Sequence, residues 1–170
     1  RKEAPEIALA TSRSRRTYVD GRYGQVHLRV AQPAAPTAHP PLLCFHMSPH
    51  SGRIYERFLA AVGVDRIAVA PDTPGFGESD PPPGPPSIED YAAAMGEVID
   101  ALGFGAVDVM GYHTGAETAA ALALLRPAQV RKVVMVSAPL FTADELAAFR
   151  DHYGPAPITE DGSHLVRKWQ

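Results

Sequence analysis

Four short apolar runs, at residues 42–45, 67–70, 107–110 and 133–136, constrain the fold of this chain more than any other feature. Each is the length of a strand, and none alternates strictly between apolar and polar side chains. That pattern belongs to strands covered on both faces, which is how parallel strands joined by crossover helices are buried. The intervening segments supply the helices. Ser87 can cap a helix and Asp90 can reach back to it, and the helix runs to about Leu102 before Gly103 stops it. Residues 114–125 are rich in alanine and leucine and end ahead of Pro127, so a second helix should pack tightly on the sheet.

Ahead of these runs, residues 17–19 and 25–30 alternate around Asp20-Gly21, which predicts an antiparallel hairpin. The expected fold is therefore α/β, a mostly parallel sheet with flanking helices behind an amino-terminal hairpin. With 170 residues, 45% apolar and 21% charged, the chain can bury one sizeable core. The 17 prolines fall mainly into clusters at 33–41, 81–86 and 155–157, which marks connections. A net charge of -3 offers no broad basic face for nucleic acid and points to a small-molecule partner. Arg13, Arg15 and Arg16 read as a solvated lead-in beside Glu3 and Glu6. No run approaches the roughly 18 apolar residues of a membrane span. The single cysteine, Cys44, cannot form an intrachain disulfide, which fits a cytoplasmic location, and a homo-oligomer is left open.

The chemistry concentrates in Val107-Asp108-Val109-Met110-Gly111-Tyr112-His113-Thr114-Gly115-Ala116. A buried strand leads into a turn bracketed by glycines, and a helix with small residues on its first turn follows. This is the pattern of a nucleophile elbow, with histidine at its centre. The central residue of such a turn must adopt a strained backbone, so the positions two before and two after it must be small, as Gly111 and Gly115 are. The alternative is a plain strand-to-helix turn carrying an incidental histidine.

Two further blocks accompany the elbow: Leu42-Leu43-Cys44-Phe45-His46-Met47-Ser48-Pro49 and Ala70-Pro71-Asp72-Thr73-Pro74-Gly75-Phe76-Gly77-Glu78-Ser79-Asp80. In order and spacing the three resemble the α/β-hydrolase family from Tyr18 to Leu140, and the two blocks look like its His-Gly-x-Pro loop and its Pro-Asp-x-x-Gly-x-Gly-x-Ser turn. The resemblance implies an oxyanion hole built from the backbone amides of Ser48 and Thr114. Met47 stands where the family usually has glycine. It further implies a pocket wall containing His46, Met47, Asp72, Tyr112 and Ser137. His46 would support its loop, Asp72 would hydrogen bond within its own turn, and Ser137 stands where some members carry the triad acid.

In the family the acid and the histidine follow later strands, so the sequence reads as the amino-terminal part of such a domain. Residues 1–16 would be an arm, 17–141 the core and 142–170 the start of a cap or lid region, with the remainder of the domain outside this sequence. One short helix is expected at 142–149 and a loop at 154–162, with His152 and His164 on the surface. No cofactor or metal is expected: His46 and His50 are separated by a proline-containing segment and need not share a face with each other or with His113. Gly103-Phe104-Gly105 precedes a strand and lacks the context of a dinucleotide fingerprint. Two functions remain. One is hydrolysis of a small ester or related carbonyl compound, with His113 in place of the hydroxyl nucleophile. The other is a catalytically inactive protein of this fold that binds a ligand or partner.

Overall fold

The computed structural model describes residues 12–153 and 158–169. The chain divides into two compact units, Arg1–Pro139 and Leu140–Gln170. The first is built on one six-stranded sheet. Its strands in chain order are β1 (Arg15–Gly21), β2 (Gly24–Ala31), β3 (Leu42–Phe45), β4 (Ala68–Pro71), β5 (Val107–Tyr112) and β6 (Val130–Val136), and their order across the sheet is β1-β2-β4-β3-β5-β6. β1 pairs antiparallel with β2, and β2 antiparallel with β4. From β4 through β3 and β5 to β6 all pairings are parallel. The mostly parallel sheet behind a hairpin is the architecture expected from the apolar runs.

The central strands β3 and β4 are buried at every residue, which explains their lack of alternation. On one face Leu43, Phe45, Val69, Val107 and Val109 meet Met95, Val98 and Ile99 of α2 (Ile88–Ala101) and Ala119 and Leu122 of α3 (Thr114–Leu125). On the other, Leu42, Cys44, Ala68 and Ala70 meet Leu59 of α1 (Glu56–Val62) and Tyr55 of the 3-10 turn before it. α2 starts with the expected capping box: the Asp90 amide donates to Ser87 Oγ, and the Ser87 amide donates to the Asp90 carboxylate. Gly103, at φ 67, lets the chain leave that helix.

Several boundaries differ from the sequence expectation, β4 by one residue and β5 by two at its end among them. The hairpin turn is Arg22-Tyr23, while Asp20 and Gly21 continue β1 to a Gly21–Gly24 pair. The turn is held from outside: Glu97 of α2 accepts from the Arg22 amide at 2.8 Å and from its Nε at 2.9 Å. β1 also begins at Arg15, so Arg15 and Arg16 lie on a strand. β6 starts at Val130, which pairs with Val107 across an irregularity in register. The α1 segment was not located from sequence.

β6 is the outer strand at its end of the sheet, and Val133, Val134, Met135 and Val136 are 37 to 50% exposed. An apolar edge of this kind is a template for further pairing.

The second unit contains α4 (Ala143–Tyr153) and α5 (Ser163–Trp169). α4 outruns the expected 142–149, and Thr142 caps it reciprocally with Glu145. α5 was not expected, and His164 is half-buried there, its Nδ1 accepting from the Thr159 amide at 3.1 Å. Residues 154–157 of the expected loop, and the side chain of His152, lie outside the described residues. Among the described residues no helix is long and apolar enough to cross a membrane.

Candidate active site

His113 stands between β5 and α3 with φ 54 and ψ −121. For a residue with a side chain this backbone costs about 1 to 3 kcal/mol and persists only where its surroundings enforce it. Those surroundings are visible. A Cβ on Gly111 would overlap the Gly115 carbonyl, and a Cβ on Gly115 would overlap the Phe45 carbonyl and lie 2.8 Å from that of His46. Glycine at both positions lets α3 begin directly against the exit of β3. The turn is pinned by the His113 amide donating to Val136 O at 2.9 Å and the Ala116 amide donating to His113 O at 2.7 Å. The His113 side chain is exposed, and its ring meets that of half-buried Tyr112 edge to face at 6.5 Å.

Met47 and Ser48 are half-buried on the loop leaving β3. His46, which precedes them, is turned inward and only 2% exposed. Its Nε2 accepts from the Thr73 amide at 2.9 Å, so the proton sits on Nδ1, which donates to Met47 O at 2.9 Å. Burial pushes its pKa below the ordinary value, against the opposing pull of the Met47 carbonyl. The ring is thus a neutral strut between two loops, and it packs edge to face on Phe76.

Asp72, also 2% exposed, is the hub of the neighbouring turn. Its Oδ1 accepts from the Gly52 amide at 2.7 Å, and its Oδ2 accepts from the Glu78 amide at 2.9 Å and contacts His27 Nδ1 at 2.9 Å. One carboxyl therefore joins the loop after β3, the turn after β4 and strand β2. His46 and Asp72 were expected in a pocket wall, with His46 supporting its loop and Asp72 hydrogen bonding within its own turn. The structure commits their polar atoms to internal hydrogen bonds, because each closes backbone groups that would otherwise be buried without partners. Ser51 caps the 3-10 turn Gly52–Tyr55, its Oγ accepting from the Arg53 amide.

Ser137 is exposed at the end of β6 with φ 51, next to the carbonyl that holds His113. Two residues near the site were missed from sequence. His27 becomes Asp72's partner only through the antiparallel register of β2 against β4, which no local signal reveals. Glu117, on the first turn of α3, has its pKa raised by burial, with the nearby His113 side chain opposing the rise. Burial alone pushes the Cys44 thiol up to about 12. Among the described residues no group of three His, Cys, Asp or Glu is placed to hold a metal ion.

Comparison with known proteins matches this arrangement to one family. The sequence pattern of the alpha/beta hydrolase fold matches residues 40–157. The chain is 35% identical over 109 residues to haloalkane dehalogenase 2 of Mycobacterium bovis, an alignment covering 64% of this chain and 38% of that protein. It is 34% identical over 103 residues to epoxide hydrolase 2 of Siraitia grosvenorii, covering 58% and 32%. The chain thus spans 38% or less of the length of the curated relatives it matches. Among solved structures, an epoxide hydrolase from an endophytic Streptomyces superposes with TM-score 0.68 at 26% identity, over 84% of this chain and 43% of that one. The epoxide hydrolase of Vigna radiata gives TM-score 0.71 at 23% identity, over 84% and 47%, a likeness of fold. Since the family match takes in β3 to β6 with both loops and the strained turn between β5 and α3, the chain belongs to the alpha/beta hydrolase fold family.

Proposed function

We propose that the protein is a hydrolase of a small ester or related carbonyl compound in which His113 occupies the nucleophile position. The observation that carries this reading is the backbone of His113, φ 54 between two glycines that tolerate no side chain. A strained turn costing about 1 to 3 kcal/mol is retained around a residue that is not serine, and strain of this kind accompanies function. The relatives named above as dehalogenase and epoxide hydrolases support hydrolytic chemistry at such a turn.

In this reading a neutral His113 ring nitrogen takes a proton from water as the water oxygen bonds to the carbonyl carbon. The carbonyl electron pair moves onto oxygen, where the amides of Ser48 and Thr114 receive the negative charge. Thr114 opens α3, whose first amides have no partner within the helix, and α3 begins against the carbonyls of Phe45 and His46, one residue short of Met47 and Ser48. That contact supports pairing the two amides, and one such donor is worth about 3 kcal/mol in the transition state. Collapse of the intermediate expels the alkoxide, which recovers the proton from the imidazolium. Met47, Tyr112 and Ser137 would border the acyl group. A triad acid and histidine would come from chain pairing beyond β6, and residues from 142 onward would begin a cap, a division supported by the separate unit Leu140–Gln170.

Fluorophosphonate labelling of the full-length protein tests this assignment. The wild type should resist the reagent, while His113→Ser should accept it, because the oxyanion amides would then serve an ordinary serine nucleophile. A serine variant that remains unlabelled in a full-length, folded protein would favour the other reading, a non-catalytic member of the family that binds a ligand.

A further inference from the structure

A polar cleft of about 1170 Å3 lies at the β1 end of the sheet, opposite β6. Five arginines line it, Arg13, Arg15, Arg16, Arg29 and Arg53, against two acids, Glu56 and Glu78. That leaves three positive charges in excess on a chain whose net charge is -3. The first three arginines read from sequence as a solvated lead-in. Folding brings them together with Arg29 of β2 and Arg53 of the 3-10 turn.

The acids do not neutralise the cluster. Glu78 accepts from the Tyr18 hydroxyl at 2.9 Å and lies 4.0 Å from Arg16, while Glu56 is 3.9 Å from Arg29. Among the described residues Arg13, Arg15 and Arg53 take part in no ion pair. Arg16 and Arg29 stand directly opposite one another in the β1–β2 ladder, so two like charges share one face of an antiparallel pair, an arrangement that destabilises a sheet unless something offsets it. Arg29 is the more telling of the two. Its side chain is only 13% exposed, and its Nε is buried without a hydrogen-bond partner. A desolvated guanidinium N–H with no acceptor is costly, and β2 is paired on both sides, so the backbone that carries the arginine is fixed.

We infer that this cleft is a binding site for a small molecule carrying several phosphate groups. Phosphate oxygens accept in the planar fork that guanidinium presents, and an oxyanion beside Arg29 would screen Arg16 from Arg29. Five guanidinium groups spread over this volume exceed what one tetrahedral anion can touch. The ligand therefore carries more than one such group. The site is independent of the elbow chemistry and stands whether or not His113 is catalytic.

Titration calorimetry of the whole chain with tripolyphosphate tests it. Binding should be one to one, and inorganic phosphate and citrate should each bind at least about tenfold more weakly. Arg15→Gln/Arg16→Gln, both at exposed positions, should weaken tripolyphosphate about tenfold or more. Arg29→Lys, which keeps the charge and loses the planar guanidinium fork, should lose affinity comparably, while Arg57→Gln, exposed on α1 outside the cleft, should change nothing. The inference is overturned if Arg57→Gln weakens binding as much as the double variant, since binding would then be diffuse. It is overturned equally if citrate matches tripolyphosphate, or if no tripolyphosphate binds.

Discussion

His27 Nδ1 lies 2.9 Å from Asp72 Oδ2, and both side chains are at most 3% exposed. This contact ties the antiparallel part of the sheet to the loop after β3 and the turn after β4, since Asp72 also accepts from the Gly52 and Glu78 amides. Asp72→Ala leaves two backbone donors and an imidazole without their acceptor. It should destabilise the protein by about 3 kcal/mol or more, measured by urea unfolding, because removing one member of a buried pair strands the other. His27→Ala should cost less, since the two amides keep their acceptor.

His46 predicts a pH dependence of stability. Its neutral ring accepts from Thr73, and burial holds its folded pKa below 6.5. The unfolded ring takes up a proton that the folded one resists, so this contribution is fully present above 6.5 and is lost as pH falls through that value towards the lowered folded pKa. Unfolding free energy should therefore drop between neutral and mildly acidic pH. His46→Asn should be less stable at neutral pH, with a flatter profile over that range.

Glu117 has the opposite sign. Burial raises its carboxyl above 4.5, so the folded state binds the proton more tightly than the unfolded one, and the charged form is disfavoured as pH rises past that value. Glu117→Gln should gain stability relative to wild type on going from below that range to above it. A melting-temperature difference that stays constant across the range would show the carboxyl to be fully solvated.

The edge strand predicts association. Val134, half exposed on β6, sits on an apolar strand that among the described residues is paired on one side only, and charge on such an edge discourages pairing between chains. Residues 1–170 expressed alone should self-associate on size exclusion with increasing concentration, and Val134→Lys should shift the elution towards monomer.

Much of this was legible in sequence where a local rule sufficed. The four apolar runs located the parallel strands because double-sided burial leaves its mark on composition, and Ser87 with Asp90 marked the start of α2 because a capping box is local. The glycines at 111 and 115 announced a close approach between α3 and the strand ends. Contacts made by register were not legible. His27 meets Asp72, and Arg16 meets Arg29, only when β1, β2 and β4 align. The inward turn of His46 depended on the Thr73 amide, which sequence cannot aim. The Arg22-Tyr23 turn escaped because Glu97, distant in sequence, anchors it, and Asp-Gly was the stronger local signal.

The central claim is that His113 performs the chemistry at the strained turn. Its most direct test is the turnover of a small chromogenic ester by the full-length protein, compared with His113→Ala in a form that unfolds at the same temperature. Loss of the acting imidazole should lower kcat/KM by at least about a hundredfold, the lower bound of what a positioned acid or base contributes. An unchanged kcat/KM in His113→Ala would contradict the account and move the search for the reacting group to Ser48 or Ser51.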